Sequence, residues 1–181
     1  MSEPDIFFTR FRSAAWSDPC FISLGRLLAL SQRVESHCRS LALLLGVKFT
    51  ETSPLESGET LRAFCDAIRK QKLHKHIADI AAFFGNESQL CEILDAARNA
   101  RNEIAHEVTL GFEHWAYDES LMPDESTGIR ELATHLARAD HLLCTISSAL
   151  TKEPMLTGQA YRSYPDRLVE WVCNTDNGEP W

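Results

Sequence analysis

The sequence contains no Cys-x-x-Cys pair, no apolar run of about 18 residues and no glycine-rich phosphate loop. The six cysteines, Cys20, Cys38, Cys65, Cys91, Cys144 and Cys173, stand far apart. That spacing suits scattered reduced thiols better than a zinc site or a disulfide framework, so neither metal nor cofactor is expected. The short apolar runs exclude a membrane span. In "MSEPDIFFTRFRS" acidic residues precede the apolar patch and two arginines follow it, the wrong order for a signal peptide, which makes a cytoplasmic location the expectation. Without a nucleophile elbow or a His-Glu-x-x-His helix, the usual serine-hydrolase and zinc-protease signatures are missing as well.

Positive charge is also scarce. Lys and Arg total 18 against 26 Asp and Glu, for a net charge of −8. Broad, salt-driven binding to duplex nucleic acid needs the opposite balance. One local exception is "LRAFCDAIRKQKLHKH" at 61–76, where Arg62, Arg69, Lys70, Lys72 and Lys75 accompany His74 and His76 against Asp66. Such a run is usually a solvated helix face; its functional reading is a track for RNA. His74 and His76, two apart, diverge on a helix and are expected at the surface.

What is present is helical periodicity. With 181 residues, 44% of them hydrophobic, the chain is long enough for one core. Leu24, Leu27, Ser31, Val34, Cys38, Leu41 and Leu45 follow steps of three and four, predicting a helix over about 19–45 that Gly46 ends. A second region over about 59–84 changes phase near Gln71, predicting a break there. A third helix is expected over 88–108, capped by Asn86 or Ser88, with Leu90, Ile93, Ala97, Ala100 and Ile104 as its stripe. A loop at 109–126 precedes a fourth helix over 127–151 carrying Leu132, Leu136, Ala139, Leu143, Ile146 and Leu150. His37, His135 and His141 read as polar-face residues. Strand signal is minimal. The fold expected is all-α, an antiparallel four-helix bundle over 19–151, with an N-terminal extension at 1–18 and a C-terminal tail at 152–181 holding a short helix at 165–173.

One constellation carries chemistry. In "LDAARNARNEIAHEVT" at 94–109, Arg101-Asn102 is followed by His106. Arg followed by His after four to six positions is weak alone: chance supplies about 1.5 matches in this composition. Requiring Asn directly after the Arg leaves Arg101-Asn102…His106 alone. At about 100° per residue, Asn102 and His106 share one face and Arg101 flanks it. Arg98, Asn99 and Glu103 border that face, which points away from the apolar stripe.

The motif and its place on the penultimate helix resemble the HEPN family (higher eukaryotes and prokaryotes nucleotide-binding), over about residues 19–151. "RNEIAH" at 101–106 is similar to the family's R-x(4–6)-H motif in its four-residue form. The resemblance implies a metal-independent endoribonuclease acting as a homodimer with a composite cleft, a toxin or phage-defence effector restrained by an antitoxin or regulatory protein. It implies Arg101, Asn102 and His106 as catalytic residues; Arg98, Asn99 and Glu103 are read as substrate-binding. The chemistry suits those residue types. Attack by the RNA 2′-hydroxyl needs a base, an acid and charge stabilisation at phosphate. Histidine, with an ordinary pKa of about 6.5, exchanges protons near neutrality. Arginine offers a permanent charge on a fork matched to phosphate. The alternative is a catalytically silent bundle of the same kind that binds protein or nucleotide as a regulatory module.

Overall fold

The computed structural model describes residues 17–49, 58–108, 125–154 and 157–174. The expected N-terminal extension and the loop at 109–126 fall almost wholly outside the described residues. Among the described residues every regular element is helical: α1 Ser17–Phe49, α2 Gly58–Arg69, α3 Leu73–Phe83, α4 Ser88–Glu103, α5 Glu125–Thr151, α6 Gly158–Arg162 and α7 Tyr164–Cys173. A five-residue π-helical turn, Ile104–Val108, continues α4.

Period sets the packing. On α1 the stripe from Leu24 to Leu45 is buried throughout, including Ser31, and it faces α5, α3 and α7. α5 is the central element, packing against α1, α4 and α7 through Leu132, Leu136, Ala139 and Leu143. Each of these leucines removed from water contributes about 1.5–3 kcal/mol. On α4, Leu94 is fully buried and Ile93 only partly so, a small rotation of the expected stripe.

The C-terminal segment belongs to this assembly. α7 packs against α5 and α1, burying Val169 and Val172. Arg26 of α1 fastens its end by donating to the carbonyls of Trp171 at 2.8 Å and Asn174 at 2.6 Å, where α-helical carbonyls lack partners. Its guanidinium also lies 5.6 Å from the Trp171 ring centroid, a cation–π distance.

The connections correct two local expectations and meet a third. α1 does not stop at Gly46 but runs to Phe49. Gly46 instead allows close packing, since a Cβ there would lie 2.6 Å from Cζ of Phe64. The break near Gln71 is found, between Arg69 and Leu73. α4 is capped by neither Asn86 nor Ser88: the Glu87 carboxylate accepts from the Leu90 amide at 3.1 Å. Asn86 and Gly85 adopt positive φ (55° and 70°) and close α3, with Asn86 N–H donating to Ala81 and Gly85 N–H to Ala82.

Candidate functional site

Two polar clusters flank the core stripe of α1. Val34 and Cys38 are buried; about 100° to one side stand Arg33 and His37, and about 100° to the other stand Glu35 and Arg39. Each pair is one turn apart, so each flank reaches a different neighbouring helix.

The Glu35 flank reaches α4. One carboxylate oxygen of Glu35 accepts from Arg101 Nη2 at 3.3 Å and the other from Arg39 Nη2 at 3.3 Å. Arg101 is thereby held partly buried at the edge of the predicted face, with Nη1 3.5 Å from Asn102 Oδ1. Asn99, Asn102, Glu103 and His106 are exposed, while Arg98 is half-buried and ion-paired with Asp95 at 3.3 Å. The Glu107 side chain lies outside the described residues. His106 sits on the π turn, which advances fewer degrees per residue than an α-helix. Relative to a continuous α-helix, that turn carries His106 back around the axis toward Arg101's side. Arg101, Asn102 and His106 therefore occupy neighbouring surface at one end of α4. Ile104 between them is buried and fixes the turn to the core.

Behind this face lies a residue placed differently from expectation. His76 is fully buried, because the break between α2 and α3 turns it inward beside Ile77 and Ile80. Among the described residues neither of its ring nitrogens has a hydrogen-bond partner, and the same holds for Gln71 Oε1 and Arg39 Nε. Burial, with the nearby Arg39 charge, pushes His76 below the ordinary histidine value and favours the neutral ring. His74 is exposed as expected, and so are Arg62, Arg69, Lys70, Lys72 and Lys75.

The other flank builds a cluster the sequence reading missed. Asp140 is fully buried within the apolar stripe of α5. Its carboxylate accepts from His37 Nδ1 at 2.8 Å, from Tyr164 Oη at 2.6 Å and from Arg33 Nε at 3.1 Å to each oxygen. Cys144 Sγ lies 3.7 Å from His37 Nδ1 and 4.0 Å from Asp140 Oδ2. His37 is thus no solvated polar-face residue. Burial alone would raise the Asp140 carboxyl, but the hydrogen bonds from His37 and Tyr164 and the Arg33 charge outweigh it and hold the group below the ordinary carboxylate range. The bond to Asp140, with a contribution from Cys144, pushes His37 up to about 9. Burial, reinforced by Asp140, raises the Tyr164 hydroxyl. Cys38, buried beside this group, is pushed up to about 12 by desolvation and stays a thiol.

A cavity of about 200 Å³ opens against the cluster, lined by Arg33, His141, Cys144, Thr145, Tyr161 and Tyr164 among others. The His141 and Tyr161 rings meet with centroids 4.2 Å apart and planes tilted by 55°, and among the described residues the buried His141 Nε2 has no partner. The available sequence signal was a carboxylate at a core position, Asp140 lying one turn after Leu136 and three residues before Leu143.

No family model, curated protein or solved structure matches the chain.

Proposed function

We propose that this chain is a metal-independent endoribonuclease of the HEPN type, working as a homodimer on RNA in the setting of a toxin or defence effector. The observation that carries the reading is the α4 terminus, where Arg101 is anchored by Glu35 beside the exposed Asn102 and His106 on a helix that widens into a π turn. π turns inside helices are concentrated at functional sites. A guanidinium held from behind keeps its orientation while offering its outer edge to a phosphate. In this mechanism His106 of one protomer removes the 2′-hydroxyl proton and the partner's His106 protonates the leaving 5′-oxygen. Arg101 stabilises charge on the phosphate between them, and Asn102 orients the imidazole or the phosphate. Arg98, Asn99 and Glu103 border the path of the strand.

The Glu35–Arg101 ion pair also favours a second reading, because an arginine already paired with a carboxylate binds phosphate less strongly. On that reading the bundle is catalytically silent and its α4 face binds a protein or a nucleotide. RNA cleavage in EDTA separates the two. Wild-type protein is expected to cut, with His106→Ala and Arg101→Ala each reducing the rate by about 100-fold, the scale of a general acid–base contribution. A folded wild-type dimer inactive on varied RNAs would leave the binding module.

A further inference from the structure

We propose that His37, Asp140 and Cys144 form a binding site for a divalent cation of the zinc class. The donor atoms converge: Nδ1 lies 2.8 Å from Asp140 Oδ1 and 3.7 Å from Cys144 Sγ, and Sγ lies 4.0 Å from Asp140 Oδ2. All lie within 4.8 Å of one another. Zinc bonds of about 2.0–2.3 Å in tetrahedral array place neighbouring donors roughly 3.3–3.6 Å apart, which these separations straddle. In a catalytic triad the carboxylate and the nucleophile engage opposite nitrogens of the histidine; here both face Nδ1, an arrangement that suits a shared cation. One imidazole, one carboxylate and one thiolate make a borderline-soft set that selects zinc-like ions over magnesium or calcium.

The surroundings complete the site. The donors come from the bodies of two packed helices, α1 and α5, so their spacing is held by the core. Tyr164 Oη on Asp140 Oδ2 and Arg33 Nε bridging both oxygens orient the carboxylate, so that Oδ1 keeps its Arg33 bond and exchanges its His37 contact for a metal bond. The Arg33 charge opposes a cation, which is why the site needs both anionic ligands. As the metal–sulfur and metal–nitrogen bonds form, the Cys144 thiol and the His37 imidazolium each release a proton to solvent. Two protons leave for one dication, so the cluster's net charge is unchanged. Three protein ligands describe an open site, and one of them, Cys144, also lines the cavity of about 200 Å³ that His141 and Tyr161 border, which leaves room for a fourth ligand beside the sulfur. This flank of α1 is opposite the one that holds Arg101, and the proposal does not depend on the nuclease reading.

Cobalt(II) titration of the purified full-length chain tests it. The expected result is one equivalent bound, with a thiolate-to-cobalt charge-transfer band and the intense visible bands of four-coordinate cobalt, both erased by added zinc. Cys144→Ser is expected to abolish the charge-transfer band and His37→Gln to weaken binding at least tenfold, while Cys91→Ser retains both signals. Tyr164→Phe, which removes only the orienting hydroxyl, is expected to weaken binding about tenfold. Circular dichroism of each variant establishes that it is folded. Wild-type protein without the band, or a band that survives Cys144→Ser in folded protein, overturns the proposal.

Discussion

Glu35 of α1 and Arg101 of α4, 66 residues apart in sequence, meet at 3.3 Å, and the same carboxylate holds Arg39. Both side chains are partly exposed, so the pair contributes little stability, about 1 kcal/mol or less. On the proposed nuclease reading, its value is orientation, and Glu35→Gln is expected to shift Tm by less than about 4 °C while lowering RNA cleavage about tenfold, with the loss in kcat rather than KM. A thermal melt and a cleavage assay on the same preparation check this; full activity in Glu35→Gln would show that Arg101 needs no anchor.

The Asp140 cluster is the energetic opposite. Removing the buried carboxylate leaves Arg33, His37 and the Tyr164 hydroxyl without their shared acceptor; because Arg33 is 49% and His37 30% exposed, water takes up part of the loss, and the cost falls below the roughly 3–5 kcal/mol of a fully buried pair, at about 2–3 kcal/mol. Asp140→Ala is expected to lose that much in urea denaturation, a large share of the stability of a marginal domain. Tyr164→Phe deletes the hydrogen bond to the Asp140 carboxylate and the 3.2 Å bond accepted from Arg33 Nη2, and should cost about 1.5–3 kcal/mol. A loss below about 1 kcal/mol in Asp140→Ala would mean that water replaces the carboxylate freely.

Opposite shifts within this cluster set a pH window. Asp140, held below its ordinary 3.8, contributes stability above that value, and the contribution is lost as pH falls through the lowered pKa. His37, raised from 6.5 to about 9, contributes fully below 6.5, and its contribution is lost as pH rises through 9. His76, lowered by burial, works the other way and erodes stability as pH falls below its ordinary 6.5. In EDTA, urea midpoints should therefore decline between pH 6.5 and about 9.5, and His37→Gln should flatten that limb. His76→Leu should flatten the acid limb instead. An alkaline limb unchanged by His37→Gln would assign the decline to another group.

How much of this was legible in sequence depends on the range of the interactions. The stripe from Leu24 to Leu45 and the stripe of α5 follow local periodicity, and all of the first and most of the second are buried. The break near Gln71 shows as a change of phase for the same reason. The motif face could be placed because Asn102 and His106 are neighbours on one helix. The π turn, the Glu35 anchor and the burial of His76 depend on packing between helices, which a polar residue's own neighbourhood in sequence does not encode. Asp140 is the clearest case: 107 residues separate it from Arg33, and the residues around it predict an apolar stripe with one acid in it.

Gly46 offers a test of packing against propensity. At an interior helical position glycine costs about 1 kcal/mol relative to alanine, so Gly46→Ala would ordinarily stabilise α1. A Cβ at this position would lie 2.6 Å from the end of the Phe64 ring, inside the closest approach of carbon atoms, and Phe64 would have to move. The expected result is a lower Tm for Gly46→Ala alone, because the displaced ring loses contacts where α2 packs against α1. In a Phe64→Leu background the obstruction is removed, and the same alanine should raise stability by about 0.5–1 kcal/mol. The double-mutant cycle should give a coupling of about 1–2 kcal/mol, the range for residues in direct contact. Equal effects of Gly46→Ala in both backgrounds would show that the ring yields without cost, and that Gly46 is not set by close packing against Phe64.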